Sequence, residues 1–195
     1  MILYGAGGHA SVVYESMKAA SVALSAVFDD NESVEQFAGL PVFHQYTDDV
    51  KANDTLLIAI GSNNSRHQLA TKIAHRFGKL IDPRSIISLT ATMGSGSMVL
   101  AGAIVQANCR LGMHVIVNSG AVIEHDTEVG DFCHFAPGSV VCGGAKIGKG
   151  VLIGANATLL PGVEIGAWSK VAAGAVVLKS VPPGETVVGN PAHSI

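Results

Sequence analysis

Aromatic side chains supply only 5% of this 195-residue chain, so a core of packed rings is excluded and an aliphatic one is expected. Cysteine is nearly absent. Three residues, an odd number, build no disulfide framework, and Cys109, Cys133 and Cys142 read as reduced thiols of a cytoplasmic protein. Basic charge is not in surplus either: a net charge of −3 and a pI near 6.2 leave no footprint for nucleic acid or an anionic membrane. Long apolar runs are missing as well. The longest, Leu56 to Ile60, is far too short to span a bilayer, and the opening residues Met1 to Gly5 have no basic flank and long apolar core, so no signal peptide is expected.

What the chain does have is glycine, 23 residues, and a period. Counting in sixes from Ile87, residues Met93, Val99, Val105, Leu111, Val117, Ile123 and onward to Val177 are all apolar, with no insertion breaking the phase. Four residues after each stands a small or β-branched side chain, from Ala91 and Ser97 through Cys133 and Ser139 to Val181; the second position is often Gly, as at Gly94, Gly112 and Gly130. A six-residue period scatters apolar positions around an α-helix, and a disordered tract keeps no aliphatics in phase. It marks a parallel β-helix, a prism with one hexapeptide per side and eighteen residues per coil. Residues eighteen apart then stack at about 4.8 Å, and the stretch makes roughly five coils.

The preceding segment is of another kind. Ile2 to Tyr4 enters Gly5-Ala6-Gly7-Gly8-His9, and a helix follows to about Ala20: strand, glycine loop, helix, an arrangement that lets backbone N–H groups meet a phosphate at the positive helix end. A second strand, about Ala23 to Phe28, ends in Asp29-Asp30. A third, Thr55 to Ile60, leads to Gly61-Ser62-Asn63, placed to close the same crevice, then to a helix from about Asn64 to Phe77 and a short strand at Lys79 to Ile81. Arg66 reads equally as a solvated helix charge. The spacing suits a dinucleotide fingerprint, but the elements are too few for two mononucleotide halves. Glycines that only make a tight turn are the plain alternative. Asp82-Pro83 closes a domain of residues 1–82, leaving 83–195 to the β-helix and its tail, with Val181-Pro182-Pro183-Gly184 ending the coils.

The histidines carry the chemistry. His125 lies near a corner between Glu124 and Asp126, and a carboxylate held on one imidazole nitrogen makes a base of the other. Eighteen residues on is Gly143, whose backbone N–H would lie one coil above as an oxyanion donor. Glu124 rivals Asp126, because adjacent strand residues face opposite ways; a surface histidine among acids is the plain alternative. His114, His125 and His134 are eleven and nine residues apart, so they cannot stack on one edge, and no metal is expected.

The repeat, with the ending Gly189-Asn190-Pro191-Ala192, resembles the hexapeptide-repeat acyltransferases of the left-handed β-helix fold; the hand comes from the resemblance. The pattern His125-Asp126, His134 nine residues later and Gly143 nine beyond is most similar to the N-acetyltransferases of nucleotide-linked 4-amino sugars, as in bacillosamine synthesis. That resemblance implies acetyl-coenzyme A as co-substrate, a UDP-sugar as acceptor, His125 as base, Asp126 as its orienting carboxylate, and acetyl-coenzyme A contacts at His134 and Gly143. Asn118 falls where the family has a polar residue. The resemblance puts the pyrophosphate on Gly7, Gly8 and His9, and the base or ribose on Asp29 and Asp30. Ala173 is expected near the pantetheine and Lys179 near its phosphates, although Lys179 reads equally as a strand-end charge. A homotrimer with sites between subunits is expected. An O-acetyltransferase of a sugar or sialic acid, and a non-catalytic nucleotide-binding scaffold, stay open.

Overall fold

The computed structural model describes residues 1–195. Its N-terminal part runs β1 (Ile2–Tyr4), α1 (Gly8–Ala19), β2 (Ala26–Phe28), β3 (Gln36–Phe37), β4 (Leu40–Phe43), β5 (Leu56–Ile58) and α2 (Asn63–Ala70). The sheet order is β3-β4-β2-β1-β5, parallel except for the β3–β4 hairpin. Strands β1, β2 and β5 are buried throughout, which is why they are short apolar runs without alternation. Because β2 flanks β1 on one side and β5 on the other, a topological switch point falls between β1 and β5. In such sheets the crevice beyond the carboxyl ends of those strands receives ligands.

Three local features differ from the sequence expectation. The β3–β4 hairpin was not foreseen; it turns on Ala38 and Gly39, both at positive φ (51° and 80°), the backbone a two-residue hairpin requires. Helix α2 stops at Ala70 instead of Phe77, because the chain must straighten to run beside β5: Leu56 N–H donates to Arg76 O at 2.9 Å and Gly78 N–H to Leu56 O at 3.0 Å. Finally, Leu80–Ile81 is not a sheet strand of the first domain but the first rung of the β-helix, paired with Met98–Val99. The coils therefore begin ahead of Asp82-Pro83.

The β-helix has three flat sides. The first stacks Ile86–Ile87 up to Val176–Val177, the second Thr92–Met93 up to Glu164–Ile165, and the third Leu80–Ile81 up to Thr186–Val188. Up to Val177 the rungs pair in parallel at a step of eighteen, as in Ile104 to Val122 to Val140; the last one, Lys170 to Thr186, closes at sixteen. From Val99 to Val177 the phased aliphatics form one continuous core with the small-residue slots, among them Ala103, Cys109, Ala121 and Cys133. The coils continue past Val181–Gly184, since Thr186–Val188 still pairs with Lys170–Val171, and the tail folds back as an antiparallel rung at His193–Ser194. The third side is the seam: Met98, Leu100 and Ile116 pack with Leu3, Leu57 and the α1 residues Ala10, Val13 and Met17. No helix is long and apolar enough to cross a membrane.

Candidate active site

His125 stands at the corner between the first and second sides, its side chain 63% exposed. Asp126 adopts a left-handed φ of 59°, which ends the strand alternation and turns its carboxylate onto the preceding ring. Nδ1 of His125 lies 2.8 Å from Asp126 Oδ2, and Asn108 Nδ2, one coil below, donates to Asp126 Oδ1 at 3.0 Å. The Asn108 amide first, then His125, holds the Asp126 carboxyl below the usual carboxylate range. An ionised carboxylate only accepts, so Nδ1 carries the proton and Nε2 presents its lone pair. Glu124 makes no bond to the ring, a result strand alternation alone did not anticipate.

The next coil supplies the second half. A Cβ built on Gly143 would come within 2.6 Å of His125 Cε1 and 2.7 Å of Nε2, so the imidazole lies across Gly143 and only glycine fits there. The Gly143 N–H has no partner within the chain. Unpaired N–H groups recur at this corner, as at Ala107; what sets Gly143 apart is the imidazole beside it.

A second group gathers at the sheet's switch point. Gly5 is required by packing, with φ 115° and a Cβ that would meet Ala59 O at 2.8 Å, whereas a Cβ at Gly7 or Gly8 meets nothing within 4 Å. Those two glycines leave open space before the N-terminus of α1. His9 has a buried, unpartnered Nε2, and its ring centroid lies 5.9 Å from that of His134. His134 Nδ1 is 3.0 Å from Gly61 O and its Nε2 3.1 Å from Asn118 Nδ2. Burial holds both histidines neutral, near pKa 4.

The structure thus brings together His9, Gly61, Asn118 and His134 beside Gly7 and Gly8, and separately His125, Asp126 and Gly143. It does not join the two groups within one chain: His134 lies on the third side, His125 at the opposite corner. Asp29 and Asp30 border the first group but already have protein partners. Asp29 accepts the Ala6 N–H at 2.7 Å and the Asn31 N–H at 2.9 Å, bracing the glycine loop, and Asp30 accepts the Tyr4 hydroxyl. Lys179 follows Val177, in register with Leu159, Val141 and Ile123, so it shares the His125–Gly143 corner three coils up. Ala173 lies at the other edge of the first side. The His114 ring joins neither group; it is stacked on Phe132 at 4.8 Å, and only its carbonyl reaches the first, through Arg66.

Two residues escaped sequence reasoning. Asn108 was reachable by subtracting eighteen from Asp126. Arg66, read as a possible solvated charge, is completely buried. Its guanidinium meets only backbone carbonyls and Asn63, and nothing in a polar helix segment announces that.

The comparisons with known proteins agree with this architecture. Residues 1–73 match the family described as the PglD N-terminal domain, and residues 144–179 match the bacterial transferase hexapeptide (six repeats). The UDP-N-acetylbacillosamine N-acetyltransferase of Bacillus subtilis (strain 168) is 37% identical over 108 residues, 51% of this chain; the match spans about half, 50%, of that relative's length. A histidine-to-asparagine variant of perosamine N-acetyltransferase from Caulobacter crescentus, in complex with CoA and GDP-perosamine, superposes with a TM-score of 0.95 at 32% identity, over 100% of this chain and 95% of that one. The acetyltransferase domain of PglB from Neisseria gonorrhoeae FA1090, in complex with acetyl coenzyme A, gives 0.88 at 32% identity, over 100% and 98%.

A left-handed β-helix behind a switch-point α/β domain is the architecture of a hexapeptide-repeat acyltransferase. Within that class, the full-length match above 30% identity shows that the chain belongs to the sugar N-acetyltransferases related to those of bacillosamine-type pathways.

Proposed function

We propose that the chain transfers the acetyl group of acetyl-coenzyme A to the amino group of a nucleotide-linked 4-amino sugar. One observation carries the reading: His125, protonated on Nδ1 by its bond to Asp126, aims a free Nε2 beside the unpaired N–H of Gly143. The sugar amine attacks the thioester carbonyl while Nε2 removes its proton. The resulting oxyanion accepts from Gly143, and collapse breaks the carbon–sulfur bond; the thiolate leaves and takes its proton from the imidazolium that Asp126 stabilises. No protein nucleophile is needed.

The open backbone at Gly7 and Gly8, at the start of α1, suits the diphosphate, with His9 and Gly61 closing the crevice. We place the acyl donor along the first side, with Ala173 and Lys179 at its two edges. His134 and Asn118 would meet it from a neighbouring chain of a homotrimer. The free thiols fit a cytoplasmic reaction.

The test is thiol release from acetyl-coenzyme A with UDP- and GDP-linked 4-amino sugars and their 4-hydroxy counterparts. Release with one amino series is expected, and its nucleotide identifies the base. Release with hydroxy sugars alone would make the chain an O-acetyltransferase, and no release with any would leave a binding scaffold.

A further inference from the structure

A buried guanidinium is ordinarily matched by a carboxylate, because an isolated charge is costly to remove from water. Arg66 is 0% exposed and has none. Its Nε donates to His114 O at 3.2 Å, one terminal nitrogen to Ile60 O and Gly61 O, both at 3.0 Å, and the other to Asn63 Oδ1 at 2.9 Å, Phe132 O at 2.9 Å and Cys133 O at 3.2 Å. Two of the carbonyls follow the strand that opens the nucleotide crevice, and three lie on two adjacent coils of the β-helix. No other side chain supplies five fixed donors in one plane; lysine has three on a point charge.

The Gly61 carbonyl is the joint. Arg66 and His134 Nδ1 both reach it at 3.0 Å, filling both of its lone pairs. A carbonyl only accepts, so His134 carries its proton on Nδ1. On the other side, Asn118 Oδ1 accepts the Ser119 N–H at 2.8 Å, which turns the Asn118 amide nitrogen toward His134 Nε2. The ring is thereby held in one tautomer from both ends.

We propose that Arg66 is a positioning residue for the nucleotide-sugar crevice, acting through the Gly61 carbonyl to fix the loop after β5 and the tautomer and orientation of His134. Arg66 touches no reactant. It sets where the crevice wall stands relative to Gly7, Gly8 and His9. The kinetic consequence rests on the proposed function; the tautomer does not.

Nitrogen-15 NMR of the histidine side chains in the wild-type chain is the first measurement, with His134 assigned by its loss in His134→Gln. Expected is a neutral ring protonated on Nδ1; a ring protonated on Nε2, or exchanging between tautomers, would overturn the proposal whether or not Arg66 variants fold. In Arg66→Lys, His134 should become a tautomer mixture, and the Michaelis constant for the sugar nucleotide should rise about tenfold, as for loss of a hydrogen bond from a charged group. The constant for acetyl-coenzyme A should rise as well, because the proposed function has His134 meet the acyl donor. The control is Met17→Ala, which loosens the same seam without touching Gly61 and should lower the melting temperature alone. If Arg66→Lys behaved like Met17→Ala, Arg66 would be only a structural strap. Should wild type turn over no sugar nucleotide, the proposed function falls while the NMR arm still decides this one.

Discussion

A corner residue decides which carboxylate serves His125. On a regular strand Glu124 and Asp126 would both face away from the ring or both flank it at a distance; the left-handed turn at Asp126 folds its carboxylate back onto Nδ1. His125→Ala is therefore expected to lower kcat by about two to four orders of magnitude, the usual worth of a positioned base. Asp126→Asn should cost less and Glu124→Gln almost nothing; the reverse order would reassign the carboxylate. Gly143→Ala forces a methyl into the space of the imidazole, so it should lose activity with the base still present. At the other site, glycines separate by cause. Gly5→Ala should destabilise the fold, because its Cβ meets Ala59 O, whereas a Cβ at Gly8 meets nothing within 4 Å, so Gly8→Val should fold normally yet raise the Michaelis constant of the sugar nucleotide alone. A parallel rise for acetyl-coenzyme A would detach this loop from the nucleotide.

Among elements, the seam between α1, α2 and the third side is where burial and titration meet. His9, His114 and His134 all lie there, and burial above all, aided by the Arg66 charge, lowers each from 6.5 to about 4. Between those values the unfolded chain binds more protons than the folded one, so stability rises with pH across the window and is lost as pH falls from 6.5 towards 4. Urea unfolding midpoints should be level above pH 7 and drop steeply below 6.5; a midpoint constant down to pH 5 would mean the seam histidines are not held neutral. This seam is also where sequence reading ran short. The hexads were legible to the residue because each repeats one local rule, and a slip anywhere would expose a whole ladder of aliphatics. The end of α2 was not, because Arg76–Gly78 is recruited to the edge of β5 by partners distant in sequence. Ala38-Gly39 is a weaker turn signal than Asn-Gly. Gly143 followed from counting by eighteen from His125, which its acidic flanks had singled out, while Asp29's bond to Ala6 depends on the pairing of β1 with β2 and the burial of Arg66 on how the two domains meet, neither of which a local pattern records.

For the whole molecule, the two site groups pose a problem that the proposed homotrimer would solve. His125 stands at the corner joining the first and second sides and His134 on the third, and a side of five or six residues is about 17 to 20 Å long. One thioester cannot serve both within a single prism. The outward residues show which side a neighbour would cover. On the first side they are Ile86, Ile104, Val122, Val140, Thr158 and Val176, with Ile86 64% exposed; on the second they are Arg110, Glu128, Lys146 and Glu164, paired as Arg110–Glu128 at 3.3 Å and Lys146–Glu164 at 3.1 Å. The charged side is satisfied in water, whereas the apolar side gains by burial. Three prisms closed about a threefold axis would bury it and carry the His125 corner of each chain to the His134 side of the next. Chains bearing His125→Ala and His134→Ala, each inactive alone, should regain about a quarter of wild-type activity when unfolded and reassembled together in equal amounts, because random heterologous pairing leaves that share of interfaces with both histidines intact. Sedimentation of the active species should give a trimer mass. A fully active monomer, or a mixture no more active than its components, would refute the shared site.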